Sequence, residues 1–210
     1  MSVDFVGGIV IAGTGVLTPA PAMTATEIAG VKPSANWNSA PMNTGSLTNL
    51  VLGDGTATAA AVTWNSPPTG ANPGEWRNPY PDAPGNARMM NGYLDPSTPA
   101  TPATITVSGL PATITTGGYD VYVYAVGDIP DATTRTYGYT VGATTFVVSQ
   151  TGPAPTTFPG FALALPNGVG NYVIFRAVTG ASFTLTATPG TGAPTRSPIN
   201  GIQIVAPTGS

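Results

Sequence analysis

The amino-acid sequence predicts an all-β protein built as a single antiparallel β-sandwich. Its 210 residues include 27 Gly and 23 Pro, the two poorest helix formers. Short apolar or alternating runs recur at fairly regular spacing and are separated by clusters of Gly, Pro, Asn and Asp, which is typical of sandwiches and barrels. A hydrophobic content of 41% with a net charge of only −3 indicates a folded chain rather than a disordered one.

We predict strands over residues 4–11, 47–52, 60–65, 88–94, 104–108, 119–126, 136–141, 145–149, 161–165, 172–177, 182–187 and 202–205. The strand over 119–126 alternates, yet both of its faces are apolar or aromatic, so we expect it to be covered on both sides. Asn167-Gly168 and Gly142 predict tight hairpin turns. The chain 1–210 is taken as one domain, because neither half would have enough strands to close a core.

The same alternation predicts a set of buried side chains and a pairing of the chain's two ends. We expect the strand around residues 5–11 to lie beside the strand around 201–205. The side chains predicted to be buried are Met89, Tyr93, Val121, Val123, Ile174, Leu185 and Ile202.

The composition excludes several function classes. The chain has neither His nor Cys, which excludes Ser-His-Asp and Cys-His nucleophiles, His-ligated zinc and iron–sulfur clusters. Six basic residues against nine acidic ones do not favour a nucleic-acid partner. The longest apolar run, residues 5–17, is too short to cross a bilayer, so no membrane insertion is expected. Since most Asp residues adjoin Gly or Pro, where Asp usually closes turns, we expect no catalytic residues and no enzyme activity.

Two motifs have a structural and a functional interpretation. Residues 9–18 look like a strand entering a dinucleotide-binding glycine loop, but Thr18 replaces the third glycine and Pro19 follows, so we expect an ordinary turn. Asp54, Asp128 and Asp131 lie in loops whose oxygens could hold a structural calcium ion. Turn closure is the competing interpretation for these three residues, and no other cofactor is predicted.

The loop around Trp76 is the candidate binding site. It groups Glu75, Trp76, Arg77, Tyr80 and Asp82 in a stretch stiffened by prolines. Aromatic rings stack on the apolar face of a sugar, and neighbouring carboxylate and guanidinium groups bind its hydroxyls. The loop therefore predicts a carbohydrate site. In the competing interpretation, the two rings fold back and close the end of the sandwich.

Several segments together resemble a known family. Residues 107–111, VSGLP, followed by 119–124, YDVYVY, and the closing 199–205, INGIQIV, resemble galactose-binding-like jelly-roll modules of the malectin type. Such modules are found in uncharacterised secreted bacterial surface proteins. The resemblance implies a jelly roll, a secreted or cell-surface location, and a non-catalytic role in binding a glycan through loops. The alternative is a structural or adhesive subunit of a surface layer or filament, whose partners are neighbouring copies of itself.

Overall fold

The computed structural model describes residues 1–10 and 17–207, and within them the chain forms an all-β sandwich. The predicted fold class is confirmed. Only two one-turn helices occur in the described residues, α1 (Asn86–Met89) and α2 (Ala112–Thr115). No helix in this part of the chain is long and apolar enough to cross a membrane.

One layer of the sandwich is a five-stranded sheet. Its strands, in spatial order, are β14 (Tyr172–Val178), β10 (Tyr119–Tyr124), β16 (Gly201–Val205), β1 (Ser2–Phe5) and β4 (Asn38–Ala40). The two ends of the chain pair in an antiparallel register, with Ser2 opposite Gln203, but residues 2–4 make this pairing rather than the predicted strand around 5–11.

The other layer is a seven-stranded sheet. Its strands, in spatial order, are β13 (Gly168–Val169), β12 (Thr144–Thr151), β11 (Thr134–Val141), β15 (Phe183–Pro189), β9 (Ala103–Ser108), β6 (Ala61–Asn65) and β5 (Thr44–Leu47). Two further ribbons pair β2 (Gly8–Val10) with β3 (Leu17–Pro19) and β7 (Glu75–Arg77) with β8 (Gly92–Leu94).

The strand order is that of a jelly roll. One layer contains the row β1-β16-β10-β14, and it faces the row β9-β15-β11-β12 of the other layer. Along the chain, successive strands alternate between the two sheets from β9 to β11 and again from β14 to β16. This interleaving is the double Greek key that defines the fold. Two short pairings are parallel, β1 with β4 and β12 with β13, and neither was predicted.

The strand β10 lies between two apolar layers, as its alternation predicted. Val121 and Val123 point into the core between the sheets, together with Leu185 of β15. Tyr122 and Tyr124 point to the other side, into a second layer formed by loops that cover the five-stranded sheet. The central strands β10, β16 and β1 are therefore buried on both faces, whereas the edge strand β14 is partly exposed.

Six of the seven side chains predicted to be buried are buried, and Ile174 is half-buried against the second layer. The segment predicted as a strand over 47–52 has only the end of β5, at Leu47, and an isolated bridge at Val51, and the segment 161–165 has only an isolated bridge at Leu163. The predicted strand 88–94 begins inside helix α1, and only its last three residues form β8. The predicted strand 4–11 ends early because the chain turns at Gly7, which has a φ of 58°. The centre of the glycine-rich motif, residues 11–16, lies outside the described residues.

Candidate functional site

The ribbon β7–β8 presents Trp76 at one end of the sandwich. Trp76 lies opposite Tyr93 in the register of the two strands. The ribbon packs directly on the backbone after β1, because a Cβ atom at Gly92 would lie 1.6 Å from the carbonyl oxygen of Val6. This contact without side chains fixes the position of Trp76 relative to the sandwich.

Trp76 is half-buried and borders a cavity of about 290 Å³. The cavity is lined by Ala71, Asn72, Pro73, Trp76, Tyr93, Asp95, Asp128, Pro130, Arg135, Pro194 and Arg196. The indole N–H of Trp76 has no hydrogen-bond partner among the described residues. In contrast, the indole groups of Trp37 and Trp64 donate to the carbonyls of Ser34 and Met42 and are buried. Trp76 is thus the tryptophan that the fold does not use in its core.

Asp95 and Arg196 form an ion pair beside the indole ring. The Nε of Arg196 lies 3.0 Å from Oδ2 of Asp95, which also accepts a hydrogen bond from the side-chain amide of Asn72 at 3.0 Å. Asp95 is only 4% exposed, and burial raises its pKa to about 6 although Arg196 and Asn72 act to lower it. The pair holds the Arg196 side chain against the cavity.

Arg135 and Asp128 also line the cavity. Arg135, 3% exposed, donates from Nη1 to the carbonyl of Asp128 at 3.0 Å. The Asp128 backbone N–H donates to the hydroxyl of Tyr93 at 2.9 Å. Both bonds use the backbone of Asp128, so its half-exposed carboxylate accepts no hydrogen bond from the described residues and remains available on the cavity wall.

Tyr80 does not share this cavity. It is 3% exposed, donates from its hydroxyl to the carbonyl of Met90, and belongs to the second apolar layer. Its predicted role as an exposed sugar platform is therefore wrong. The competing interpretation, that the ring folds back beneath its loop, is the one the structure shows for Tyr80 but not for Trp76.

The three charged residues predicted around Trp76 also lie away from the cavity. Alternation along β7 places the side chains of Glu75 and Arg77 on the face opposite Trp76. Glu75 is buried there, and loss of solvation raises its pKa to about 7. Asp82 instead accepts from Arg88, with Oδ1 at 2.8 Å from Nε. These three side chains therefore do not line the cavity beside Trp76, contrary to the grouping expected from the sequence.

The three candidate calcium ligands are dispersed. Asp54 and Asp131 each accept a hydrogen bond at 2.9 Å from the backbone N–H two residues later, in Thr56 and Thr133, which closes a turn. Asp128 belongs to the cavity. Within residues 1–10 and 17–207, no group of three His, Cys, Asp or Glu side chains is placed to hold a metal ion. The structure therefore gives the calcium prediction no support.

The polar residues that do border Trp76 come from four separate segments. Asn72, Asp95, Arg135 and Arg196 are up to 124 positions apart in the sequence, and the jelly-roll topology brings them together. No sequence motif with a characteristic spacing predicts such a group. The signal that the sequence did offer was composition: in a chain with so few charges, two of the six basic residues, Arg135 and Arg196, lie in β11 and shortly before β16.

A larger cleft, of about 720 Å³, opens towards the other end of β11. Phe146, Phe175 and Phe183 contribute to its lining, and Arg176 is the charged residue among those that line it. That guanidinium already pairs with Asp120 at 2.7 Å. The Trp76 cavity combines a free indole ring with several charged groups, so it is the stronger candidate for a polar ligand.

Comparisons with known proteins do not assign the chain to a family. No protein-family model matches it, and no curated protein matches it. Similar solved structures include the exo-β-1,3-galactanase of Phanerochaete chrysosporium with galactose, at 15% identity and a TM-score of 0.31 over 54% of this chain and 23% of that one. Another is the isomalto-dextranase of Arthrobacter globiformis T6 with panose, at 14% identity and a TM-score of 0.29 over 90% of this chain. The chain spans 24% of the length of that second protein.

Proposed function

We propose that this protein is a non-catalytic carbohydrate-binding module and that its site is the cavity bordered by Trp76. The observation that carries the proposal is the half-buried indole ring of Trp76, which borders a cavity also lined by charged side chains that are held in place by an ion pair and hydrogen bonds. An indole ring stacks on the C–H face of a pyranose, while carboxylate and guanidinium groups bind its hydroxyls.

The polar groups of the cavity suit a ligand with neighbouring hydroxyls. A hydroxyl group both donates and accepts, so it matches a site that offers the two functions side by side. Asp128 supplies a carboxylate acceptor and Arg196 supplies guanidinium donors. Asp95 already holds the Arg196 guanidinium in place and is itself bound by Asn72, so the Arg196 side chain loses little conformational freedom when a sugar binds.

A non-catalytic role agrees with the state of the acidic groups. Asp95 is bound to Arg196 and Asn72, which is a poor arrangement for a general acid that must deliver a proton to a substrate. We further propose a secreted or cell-surface location, supported by the composition, which is rich in Thr, Gly and Pro and has only 7% charged residues. Affinity should be weak, since a sugar exchanges hydrogen bonds to water for similar ones to the protein.

Retention on immobilised neutral polysaccharides tests the proposal. The wild type should be retarded on at least one matrix, Trp76→Ala should run unretarded, and Trp76→Phe should keep part of the retention because it keeps an aromatic face. Asp128→Asn should weaken retention, whereas Asp54→Asn is a matched control, since Asp54 only closes an exposed turn. If Trp76→Ala is retained as strongly as the wild type, the cavity is not the glycan site.

A further inference from the structure

The seven-stranded sheet presents a face to solvent that carries no charge. Of the charged residues of the chain, Arg135 is the one that lies in these seven strands, and its side chain points inward and is buried. The outward positions are instead Thr44, Ser46, Thr63, Asn65, Thr104, Thr106, Ser108, Thr134, Thr136, Thr140, Thr145, Ser149, Thr151, Thr184, Thr186 and Thr188, with Ala61, Gly138, Val147 and Val169. We call this surface the hydroxyl face.

Soluble proteins rarely leave such a face open. Exposed sheet surfaces ordinarily carry mixed Lys and Glu side chains, which keep sheets of neighbouring molecules apart. A net charge of −3 is present in this chain, but its charged side chains lie outside the hydroxyl face. Two copies can therefore bring their hydroxyl faces together without placing like charges opposite one another.

Many hydroxyl groups on this face are already satisfied within the chain. Side-chain oxygens pair across neighbouring strands in Thr106–Thr184 at 2.9 Å, Thr140–Thr145 at 2.8 Å and Thr134–Thr151 at 2.7 Å. Burying a polar group is costly mainly when it loses its hydrogen bond. Because these pairs keep theirs, the face can be desolvated at a reduced cost, and the Thr methyl groups contribute apolar surface.

One edge of the hydroxyl face is apolar. Val169 of β13 is 79% exposed and lies opposite Ser149 of β12, so it shares the outward side with that residue. Val147 lies two residues before Ser149 on the same side of β12. Exposed β-branched side chains at the edge of an uncharged sheet favour burial against another surface rather than exposure to water.

The size of the hydroxyl face suits an interface. With strands about 4.8 Å apart and about 3.3 Å per residue, seven strands of about six residues cover roughly 29 Å by 20 Å. Two such faces would bury roughly 1,100 Å² in total, which exceeds the ~1,000 Å² expected of a biological interface and is the size of a weak, concentration-dependent one. Two sheets of the same twist pack face to face at about 30°, so identical faces are geometrically compatible.

We infer that the hydroxyl face is a self-association surface and that its occupant is the hydroxyl face of a second copy of this chain. The inference does not depend on the carbohydrate site, which lies at one end of the sandwich. It assigns the seven-stranded sheet to assembly and the Trp76 cavity to ligand binding.

Sedimentation velocity over a range of protein concentrations tests the inference. The wild type should pass from monomer to dimer with concentration, and Thr184→Arg or Thr106→Arg should weaken dimerisation at least about tenfold, because each dimer would place guanidinium groups against an uncharged, dry surface. Thr113→Arg is the matched control, because Thr113 is an exposed threonine of α2 and lies outside the seven-stranded sheet. This variant should dimerise like the wild type.

Two results would overturn the inference. One is a wild type that stays monomeric at every concentration. This result overturns the inference even if the monomer binds neutral polysaccharide through Thr184. The other is a dimer that Thr113→Arg weakens as much as Thr184→Arg does. Circular dichroism of each variant establishes that it is folded, and Trp76→Ala should dimerise normally even if it has lost carbohydrate binding.

Discussion

The Nε of Arg196 lies 3.0 Å from Oδ2 of Asp95, and this ion pair joins two distant parts of the chain beside Trp76. Asp95 follows directly after β8, whose partner strand carries the indole ring, and Arg196 precedes β16 at the centre of the five-stranded sheet. The pair thus couples the ribbon that carries the ring to the sandwich that supports it.

The buried carboxyl groups predict that the protein is more stable in mild acid than at neutral pH. Burial raises the pKa of Asp4 and of Asp95 from 3.8 to about 6, and that of Glu75 from 4.5 to about 7. A raised pKa means that the folded state binds the proton more tightly than the unfolded state. The stability from this binding is complete below the unfolded pKa and is lost as the pH rises through the folded one.

Thermal denaturation between pH 4.5 and pH 8 checks this expectation. The melting temperature should fall as the pH rises from about 4.5 to 7, with each buried carboxyl contributing of the order of 1–2 kcal/mol. Glu75→Gln should reduce the fall in melting temperature in the upper part of this pH range, near the pKa of about 7 of Glu75. A melting temperature that rises steadily towards pH 7 would show that these carboxyls are not buried as described.

Tyr124 and Tyr119 provide a matched test of buried hydroxyl groups. The Tyr124 hydroxyl accepts from the backbone N–H of Val31 at 2.8 Å and donates to the side-chain oxygen of Gln203. The Tyr119 hydroxyl is buried with no hydrogen-bond partner among the described residues. Tyr124→Phe should therefore lower the free energy of unfolding by about 1–3 kcal/mol, because it leaves the half-buried Val31 N–H without its acceptor and removes a buried donor from Gln203 Oε1, which keeps the Lys32 N–H at 3.3 Å.

Tyr119→Phe should leave the free energy of unfolding unchanged or raise it, because it removes a buried polar atom that has no partner. Urea denaturation of the two variants measures both values. Equal destabilisation by the two substitutions would contradict the hydrogen bonding described for Tyr124.

Gly92 and Gly138 test how the β7–β8 ribbon is attached. Neither has a positive φ, so alanine is not strained by backbone conformation at either position. A Cβ atom at Gly92 would meet the Val6 carbonyl oxygen at 1.6 Å, whereas one at Gly138 would have Thr188 as its neighbour, at 3.5 Å. Gly92→Ala should cost about 3 kcal/mol or more and displace Trp76, since backbone atoms must move apart.

Gly138→Ala should be close to neutral in the same denaturation experiment, because ordinary van der Waals contact accommodates the added methyl group. Carbohydrate retention should fall for Gly92→Ala under conditions where it is still folded, and should be unchanged for Gly138→Ala. A tolerated Gly92→Ala would mean that the ribbon is not packed on the backbone at Val6.

The sequence predicted those parts of the structure that depend on local pattern. The alternation in β10 predicted that Val121 and Tyr122 would face two different covered layers, because side-chain direction follows from strand geometry alone. The Asp residues beside Gly or Pro were expected to close turns, and Asp54 and Asp131 do so. Asp95 fits the same local rule yet forms a buried ion pair, because its partner Arg196 is distant in sequence.

The candidate site was only partly predictable for the same reason. Trp76 was identified from its loop, but Tyr80, in the same loop, is buried through a contact with Met90 that no local pattern reveals. Glu75 and Arg77, the neighbours of Trp76 in the sequence, have their side chains on the opposite face of β7. The residues that face it are contributed by segments that meet only once the jelly roll has formed.

Nitrogen-15 NMR of the indole groups tests the central claim most directly. The chain has three tryptophans, so three indole N–H signals are expected, and each is assigned by a Trp→Phe variant. On titration with a soluble oligosaccharide of a polysaccharide that retains the protein, the signal of Trp76 should shift and broaden. The signals of Trp37 and Trp64, whose N–H groups are bonded to carbonyls within the fold, should stay in place. Saturable binding with no shift of the Trp76 signal would contradict the account.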